Sequence, residues 1–313
     1  MKLLVTGASG FIGRHLLVSA VARGHEVVGT YLTDDELTTR LPNPSSVVWE
    51  RLDMRDPKAV GAIVERLRPE GVFHLAAQAY AQKAWKDPVD TFESNVIGTI
   101  RFYEALRAHP PRAGTLLAAS ASAYGVPTVL PVPEDVPLNP TNPYGVSKAT
   151  QDMLSLQYSL NFGLRIVRAR LFGTTGPGKT GDALNDFARQ VARLERTGRP
   201  AELKVGNLDT RRDVSDIRDV VKALWLVFER ADPRASVNVG AGQSYSIRDF
   251  ANTLVRLARV PLTITPDPAL FRPTDEPDNR GDISRLRALG YAPEYPIERT
   301  IADALDYWRG EPG

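Results

Sequence analysis

Short apolar runs alternate with amphipathic segments through the first half of this chain, and that alternation restricts the fold more than any other feature. Lys2–Thr6, Glu26–Gly29, Val47–Arg51, Val72–Ala76, Thr115–Ala119 and Leu164–Arg170 read as strands. Ile12–Arg23, Lys58–Leu67, Thr91–Arg107 and Pro143–Leu160 read as the helices between them. Parallel strands cannot be joined by a tight hairpin, so helices carry the chain back and cover both faces of the sheet. The right-handedness of such crossovers then gives an α/β fold with a doubly wound parallel sheet. After Phe172 the punctuation becomes rich in Gly and Pro. Helices are expected near Asp182–Arg196 and Ile217–Glu229, and short strands near Ala201–Val205 and Ser236–Val239.

The loop after the first strand says what such a sheet is for. Thr6-Gly7-Ala8-Ser9-Gly10-Phe11-Ile12-Gly13 joins a strand to a helix. Glycines let the backbone approach a pyrophosphate, and the helix N-terminus supplies free N–H donors and a positive dipole end. The context predicts a Rossmann dinucleotide site in residues 1–172, with 211–235 returning to it. Residues 173–313 are expected to form mainly a smaller C-terminal α/β lobe for a substrate. The end of the second strand is less decisive. An Asp there would favour NAD and an Arg would favour NADP. Tyr31 and Leu32 are neither, while Arg14 could serve a phosphate and Asp34 and Asp35 would oppose one.

Asn142-Pro143-Tyr144-Gly145-Val146-Ser147-Lys148 carries the strongest chemical signal. Asn142 suits an N-cap and Pro143 the first helical position. Tyr144 and Lys148, four apart, then share one helix face. A phenol with a pKa near 10 is a poor acid at neutral pH. A neighbouring ammonium and a helix N-terminus are both expected to lower it, which makes a proton donor for a carbonyl under reduction. Ser120 ends the strand Thr115–Ala119, and ligands in such sheets sit beyond the carboxyl ends of strands.

Composition narrows the class. Lys+Arg 39 against Asp+Glu 37 gives no general pull toward nucleic acid or an anionic membrane. The chain has no cysteine, which excludes disulfides, thiol catalysis and Cys-ligated zinc. His15, His25, His74 and His109 show no metal-ligand spacing, so no metal is expected. Leu3–Val5 is far shorter than the apolar part of a signal peptide, and no stretch approaches the ~20 apolar residues of a membrane span. A cytoplasmic enzyme is the expectation.

These motifs together resemble the extended short-chain dehydrogenase/reductases over essentially the whole chain. The resemblance adds Leu52-Asp53-Met54-Arg55-Asp56, His74-Leu75-Ala76-Ala77-Gln78, Asn95-Val96-Ile97-Gly98-Thr99 and Ser120-Ala121-Ser122-Ala123-Tyr124-Gly125. It implies Ser120, Tyr144 and Lys148 as catalytic residues, with Lys148 also holding the nicotinamide ribose. It implies Gly7, Gly10, Phe11, Ile12, Gly13, Asp53, Met54, Leu75, Ala76, Ala77 and Asn95 around an NADP or NAD cofactor, with Asp53 on the adenine. Lys204–Asp213 and Phe271-Arg272-Pro273-Thr274 are similar to the group of GDP-mannose 4,6-dehydratases and GDP-6-deoxy-D-mannose reductases. Gln78, Asn185, Lys204, Arg212 and Arg272 would then bind the nucleotide sugar. Guanidinium forks match phosphate oxygens well. The reductase likeness points to NADPH.

Two departures bear on the reaction. The dehydratases carry a Glu two residues before the Tyr of the Tyr-Gly pair, where this chain has Ser122. They also carry Phe-Asn after the sixth strand, where this chain has Phe172-Gly173. Reduction of a 4-keto-6-deoxy sugar nucleotide, GDP-linked by resemblance, is the expected function. A 4-epimerase is the alternative, followed by a 4,6-dehydratase using Glu134, Asp135 or Asp186 as its acid, and by a non-enzymatic dinucleotide sensor. Gly173–Thr180 also satisfies the P-loop pattern, but Gly181 and Asp182 interrupt the helix that should begin at Lys179. A homodimer is expected through the 91–107 and 143–160 helices, with Phe102, Leu106, Met153, Leu154 and Leu156 at the contact.

Overall fold

The structure is a computed structural model that describes residues 1–38, 41–270 and 278–311. Its first half runs β1 (Lys2–Thr6), α1 (Phe11–Ala22), β2 (Glu26–Tyr31), β3 (Val48–Arg51), α2 (Pro57–Leu67) and β4 (Gly71–His74). Then come α3 (Ala81–Lys86), α4 (Pro88–Phe92), α5 (Gly98–Ala108), β5 (Gly114–Ser120), α6 (Pro143–Phe162) and β6 (Ile166–Leu171). The second half runs β7 (Gly173–Thr175), α7 (Ala183–Glu195), β8 (Ala201–Val205), β9 (Arg211–Asp216), α8 (Ile217–Arg230) and β10 (Ser236–Val239). It ends with β11 (Ser244–Ser246), α9 (Ile247–Leu257), β12 (Leu262–Pro266), α10 (Ser284–Ala288) and α11 (Ile297–Arg309).

Among the described residues seven strands form one parallel sheet in the order β10-β6-β5-β4-β1-β2-β3. Chain order reverses between β1 and β4, and that crevice is where this architecture binds its ligand. Both faces are covered, as a wholly parallel sheet requires. On one face Leu16, Leu17, Leu224 and Trp225 from α1 and α8 pack on Leu3, Val5 and Phe73. On the other, Val60, Val64, Phe102 and Leu106 from α2 and α5 pack on Leu4, Val72 and Leu117. Each such large apolar side chain, fully buried, contributes about 1.5–3 kcal/mol.

Three expectations change. Phe102 and Leu106 are fully buried against their own sheet, so they cannot form a dimer contact. Ser236–Val239 is the edge strand of the main sheet, hydrogen bonded in register to β6, and not part of the second lobe. The segment returning to the dinucleotide domain therefore runs on to Val239 at least, and Ile283 and Leu286 at α10 also join its core. The 91–107 helix is not regular either, because a wide π turn at Glu93–Ile97 separates α4 from α5. Such turns are frequent at functional sites.

The second lobe is smaller. The parallel pair β8 and β12 and the three-stranded sheet β11-β9-β7 are its strands. Its core is built from α7, α9 and α11 around Phe187, Val191, Phe250, Leu254 and Ile301. No helix of the described residues is long and apolar enough to cross a membrane.

Candidate active site

The glycine loop divides its three glycines between two tasks. Gly7 has φ +66°, a left-handed conformation costly for other residues, and a Cβ on it would lie 2.7 Å from the Ala76 backbone. A Cβ on Gly13 would lie 2.6 Å from Ala8. Gly7 is fixed by the close approach of the segment after β4, and Gly13 by the packing of α1 on the glycine loop. Gly10 differs. It is exposed, its backbone is extended, and a Cβ would meet nothing nearer than the Gly7 carbonyl at 3.3 Å. Gly10 is also the N-cap of α1, and no side chain caps that helix. What requires glycine there is room in front of the first N–H groups, and a pyrophosphate fits that cradle. Phe11 and Ile12 pack their side chains against the core, so they face a ligand with backbone N–H groups.

Around the cradle the expected residues divide again. Asp53 accepts a two-point bond from Arg55, at 2.9 and 2.7 Å, and Arg55 also reaches Asp90 at 2.6 Å. These bonds hold the Asp53 carboxyl below the usual carboxylate range. Met54 is buried in the core and touches the helix at Gly98, so its side chain is not a cofactor contact. Asn95 is fully buried in the π turn. Its amide pairs with the backbone of Gln78 in both directions, at 2.7 and 3.1 Å, and donates to Ser147. It positions the loop after β4. The Gln78 side chain closes that same loop on Tyr80 and Thr91. Arg14, a candidate phosphate ligand, is buried, with its guanidinium donating to the carbonyls of Ser9, Pro42 and Glu36.

The catalytic set converges at the carboxyl end of β5. Asn142 caps α6 by accepting from Gly145 N at 2.8 Å, with Pro143 at the first helical position. That places Tyr144 in the first turn and Lys148 one turn on. Ser120, the last residue of β5, accepts from Ser122 N at 3.2 Å, and its hydroxyl is close enough to Tyr144 to act on the phenol. The electrostatics differ from the expectation. Burial pushes the Tyr144 phenol up, opposed by the Ser120 bond. Burial likewise pushes Lys148 down to about 7, against the pull of Asp152. Lys148 Nζ is held 2.6 Å from the Ala118 carbonyl and 2.6 Å from Gln151 Oε1. Desolvation thus outweighs the Ser120 hydrogen bond, and the phenol stays protonated at neutral pH.

Behind Lys148 runs a buried polar chain that sequence reasoning missed. Gln151 Nε2 donates to Thr99 Oγ1 at 2.7 Å, and Thr99 gives its single hydroxyl proton to the Asn95 carbonyl at 2.6 Å. His74 Nε2, 3.0 Å from the same Thr99 oxygen, must therefore be the donor. Its Nδ1 then accepts the Thr6 hydroxyl at 2.7 Å, which is consistent with a neutral ring whose pKa burial lowers to about 3. Gln151 lies three residues after Lys148 and Thr99 four after Asn95. Helical spacing was the available signal.

On the substrate side, Asn185 is buried, its amide bonded to Thr175 and Asp182 and its carbonyl accepting from Trp308. Its side chain is committed to these internal bonds. Lys204 is exposed on β8, Arg212 lies on β9 with Nη1 on the Arg211 carbonyl, and Arg272 lies outside the described residues. A Cβ on Gly173 would lie 2.5 Å from the Asp213 carbonyl, so close pairing of β7 with β9 excludes the larger residue of the resembling proteins. Lys179 sits in a turn before Asp182, which caps α7 through Asn185 N, so the P-loop pattern has no P-loop geometry.

The profile of the GDP-mannose 4,6 dehydratase family matches residues 4–304. The chain belongs to that family. It is an NAD(P)-dependent enzyme of the extended short-chain dehydrogenase/reductase class. A GDP-6-deoxy-D-mannose reductase of Pseudomonas aeruginosa is 33% identical over 98% of this chain and 97% of its own. The structure of RMD from Pseudomonas aeruginosa complexed with NADPH superimposes with a TM-score of 0.82 at 31% identity, covering 98% of both chains. UDP-glucose 4-epimerase from Thermus thermophilus complexed with NAD gives 0.85 at 29% identity over 99% of both. Family membership thus agrees with the parallel sheet and with a dinucleotide-binding fold.

Proposed function

We propose that this family member is a reductase that converts the C4 ketone of a GDP-linked 4-keto-6-deoxy sugar to the alcohol. The observation that carries this reading is Ser122. It lies beside Ser120 with its N–H on the Ser120 hydroxyl, where a dehydratase needs a carboxylic acid to expel the 6-hydroxyl as water. The other candidate acids are engaged elsewhere. Glu134 is buried against Asn238 N, Asp135 pairs with Arg285, and Asp186 faces solvent on α7. The name of the Pseudomonas relative supports the choice of nucleotide and sugar.

Ketone reduction needs a hydride at carbon and a proton at oxygen, and the dinucleotide supplies the hydride. Tyr144, kept protonated by burial, gives its proton to the C4 oxygen. Ser120 donates a hydrogen bond to that oxygen as charge builds on it. Lys148 holds the nicotinamide ribose from the buried side. Asp53, Leu75, Ala76 and Ala77 would line the dinucleotide, and Arg212 and Lys204 would meet the nucleotide diphosphate, with Arg272 outside the described residues. Either NADH or NADPH satisfies this chemistry.

Such a reaction uses cytoplasmic metabolites, and we place it there. A second copy of the chain is the expected partner. Val146, Met153 and Leu160 recur at heptad spacing along α6 and are all exposed, so they form an apolar stripe on its outer face. Trp85 and Val89 are exposed on α3 and α4, which pack on α6. This stripe replaces Phe102 and Leu106 as the contact. Light scattering at micromolar concentration checks it, and a monomer would remove it.

The test of activity supplies the ready-made keto sugar nucleotide with NADH or NADPH and follows nicotinamide absorbance. Oxidation of the cofactor is expected. Formation of a 4-keto product from GDP-mannose would establish a dehydratase. Interconversion of UDP-glucose and UDP-galactose without net cofactor change would establish an epimerase.

A further inference from the structure

Tyr31 and Leu32 stand where this fold ordinarily sets an acidic side chain against the adenosine ribose, and neither can act as one. The structure brings a carboxylate to that place from further along the chain. Glu36 lies on a short 3-10 turn, Asp34–Thr38. Its Oε2 accepts the Ser9 hydroxyl at 2.5 Å and the Leu32 backbone N–H at 3.0 Å. Ser9 belongs to the glycine loop and Leu32 follows the end of β2. One carboxylate oxygen therefore joins the two walls between which the ribose sits in this architecture.

The position is held from behind by Arg14, which is fully buried and stacks over Trp49. Its guanidinium donates to the carbonyls of Ser9 and Glu36, the same two residues whose side chains meet in front. Arg14 thus fixes Glu36 and does not face the ribose as a phosphate fork.

We infer that Glu36 reads the adenosine ribose and makes the enzyme select NAD(H) over NADP(H). A carboxylate accepts charge-assisted hydrogen bonds from ribose hydroxyls. A 2′-phosphate would bring a second anion against it, with Asp34 and Asp35 on the same turn adding to the negative field. Among the described residues Arg51 is an opposing cation, with Nε on the Leu32 carbonyl at 3.2 Å. With the Glu36 charge removed, Ser9 and Arg51 remain, among the described residues, as groups that can meet a phosphate. The inference runs against the NADPH preference that the resemblance implies. It rests on the dinucleotide reading of the glycine loop and is independent of the sugar.

The test is direct binding. Dissociation constants for NADH and NADPH are measured by nicotinamide fluorescence at fixed ionic strength, on wild type, Glu36→Gln and Glu36→Ala. Wild type is expected to bind NADH at least about tenfold more tightly, and Glu36→Gln to reduce that ratio by about tenfold or more. Tighter binding of NADPH by wild type overturns the inference, and this arm needs no variant to fold. An unchanged ratio in a folded Glu36→Gln also overturns it. If wild type binds neither dinucleotide, the cradle assignment at Gly10 falls with it. NADH preference without reduction of the keto sugar would support Glu36 while removing the reductase reading.

Discussion

Asp152 and Arg170 meet beneath the catalytic helix through two parallel hydrogen bonds, Nε to Oδ2 at 2.8 Å and Nη2 to Oδ1 at 2.9 Å. Arg168 adds a third at 2.8 Å. Two arginines on one face of β6 thereby dock α6 on the sheet, and all three side chains are buried. Asp152→Ala would strand two guanidiniums without a counter-charge. A loss of about 3–5 kcal/mol in urea unfolding is expected. A loss under about 1 kcal/mol would show that water reaches both arginines.

Gly10→Val should abolish dinucleotide binding and leave the melting temperature within a few degrees of wild type, because only the cradle loses space. Gly7→Ala should instead fail as a fold, since it sets a Cβ against Ala76 at a positive φ. Calorimetry with and without NADH separates the two effects. Near-normal cofactor binding by Gly10→Val would mean that the pyrophosphate lies elsewhere.

Tyr144→Phe removes the proposed proton donor without touching the cradle. Turnover should fall by about 10²–10⁴-fold with cofactor affinity little changed. Unaltered turnover would assign the proton to another group.

Lys148, lowered to about 7, is an ammonium below that pH and neutral above it. If the ammonium holds the nicotinamide ribose, kcat/KM for the dinucleotide falls as pH rises through about 7. Gln151→Glu sets a negative charge beside Nζ, which favours the ammonium and moves that limb to higher pH. A pH–rate series on both proteins decides. A limb that stays in place belongs to some other group.

Much of this was legible in the sequence, for identifiable reasons. β1 is a short apolar run buried on both faces and β8 alternates buried Leu203 and Val205 with exposed Glu202 and Lys204, so both fall on their expected bounds. Tyr144 and Lys148 could be set on a helix because Asn142 and Pro143 mark its start. Partners distant in sequence were not legible. Nothing local shows that Asn185 turns inward to Trp308, or that Asp152 waits for two arginines on the next strand. The sign of the Tyr144 shift was also out of reach, since charge spacing can be read from a sequence and desolvation cannot.

The buried chain from Lys148 to Thr6 has a direction, because Thr99 owns one hydroxyl proton and gives it to Asn95. Reversing that direction breaks two bonds at once. The chain also contains a Gln amide, which donates at nitrogen and accepts at oxygen without trading protons readily, and a His74 ring that burial keeps neutral. It is an insulator, not a wire. If Tyr144 gives up its proton in turnover, as proposed, the replacement does not travel along this chain from the interior of the sheet.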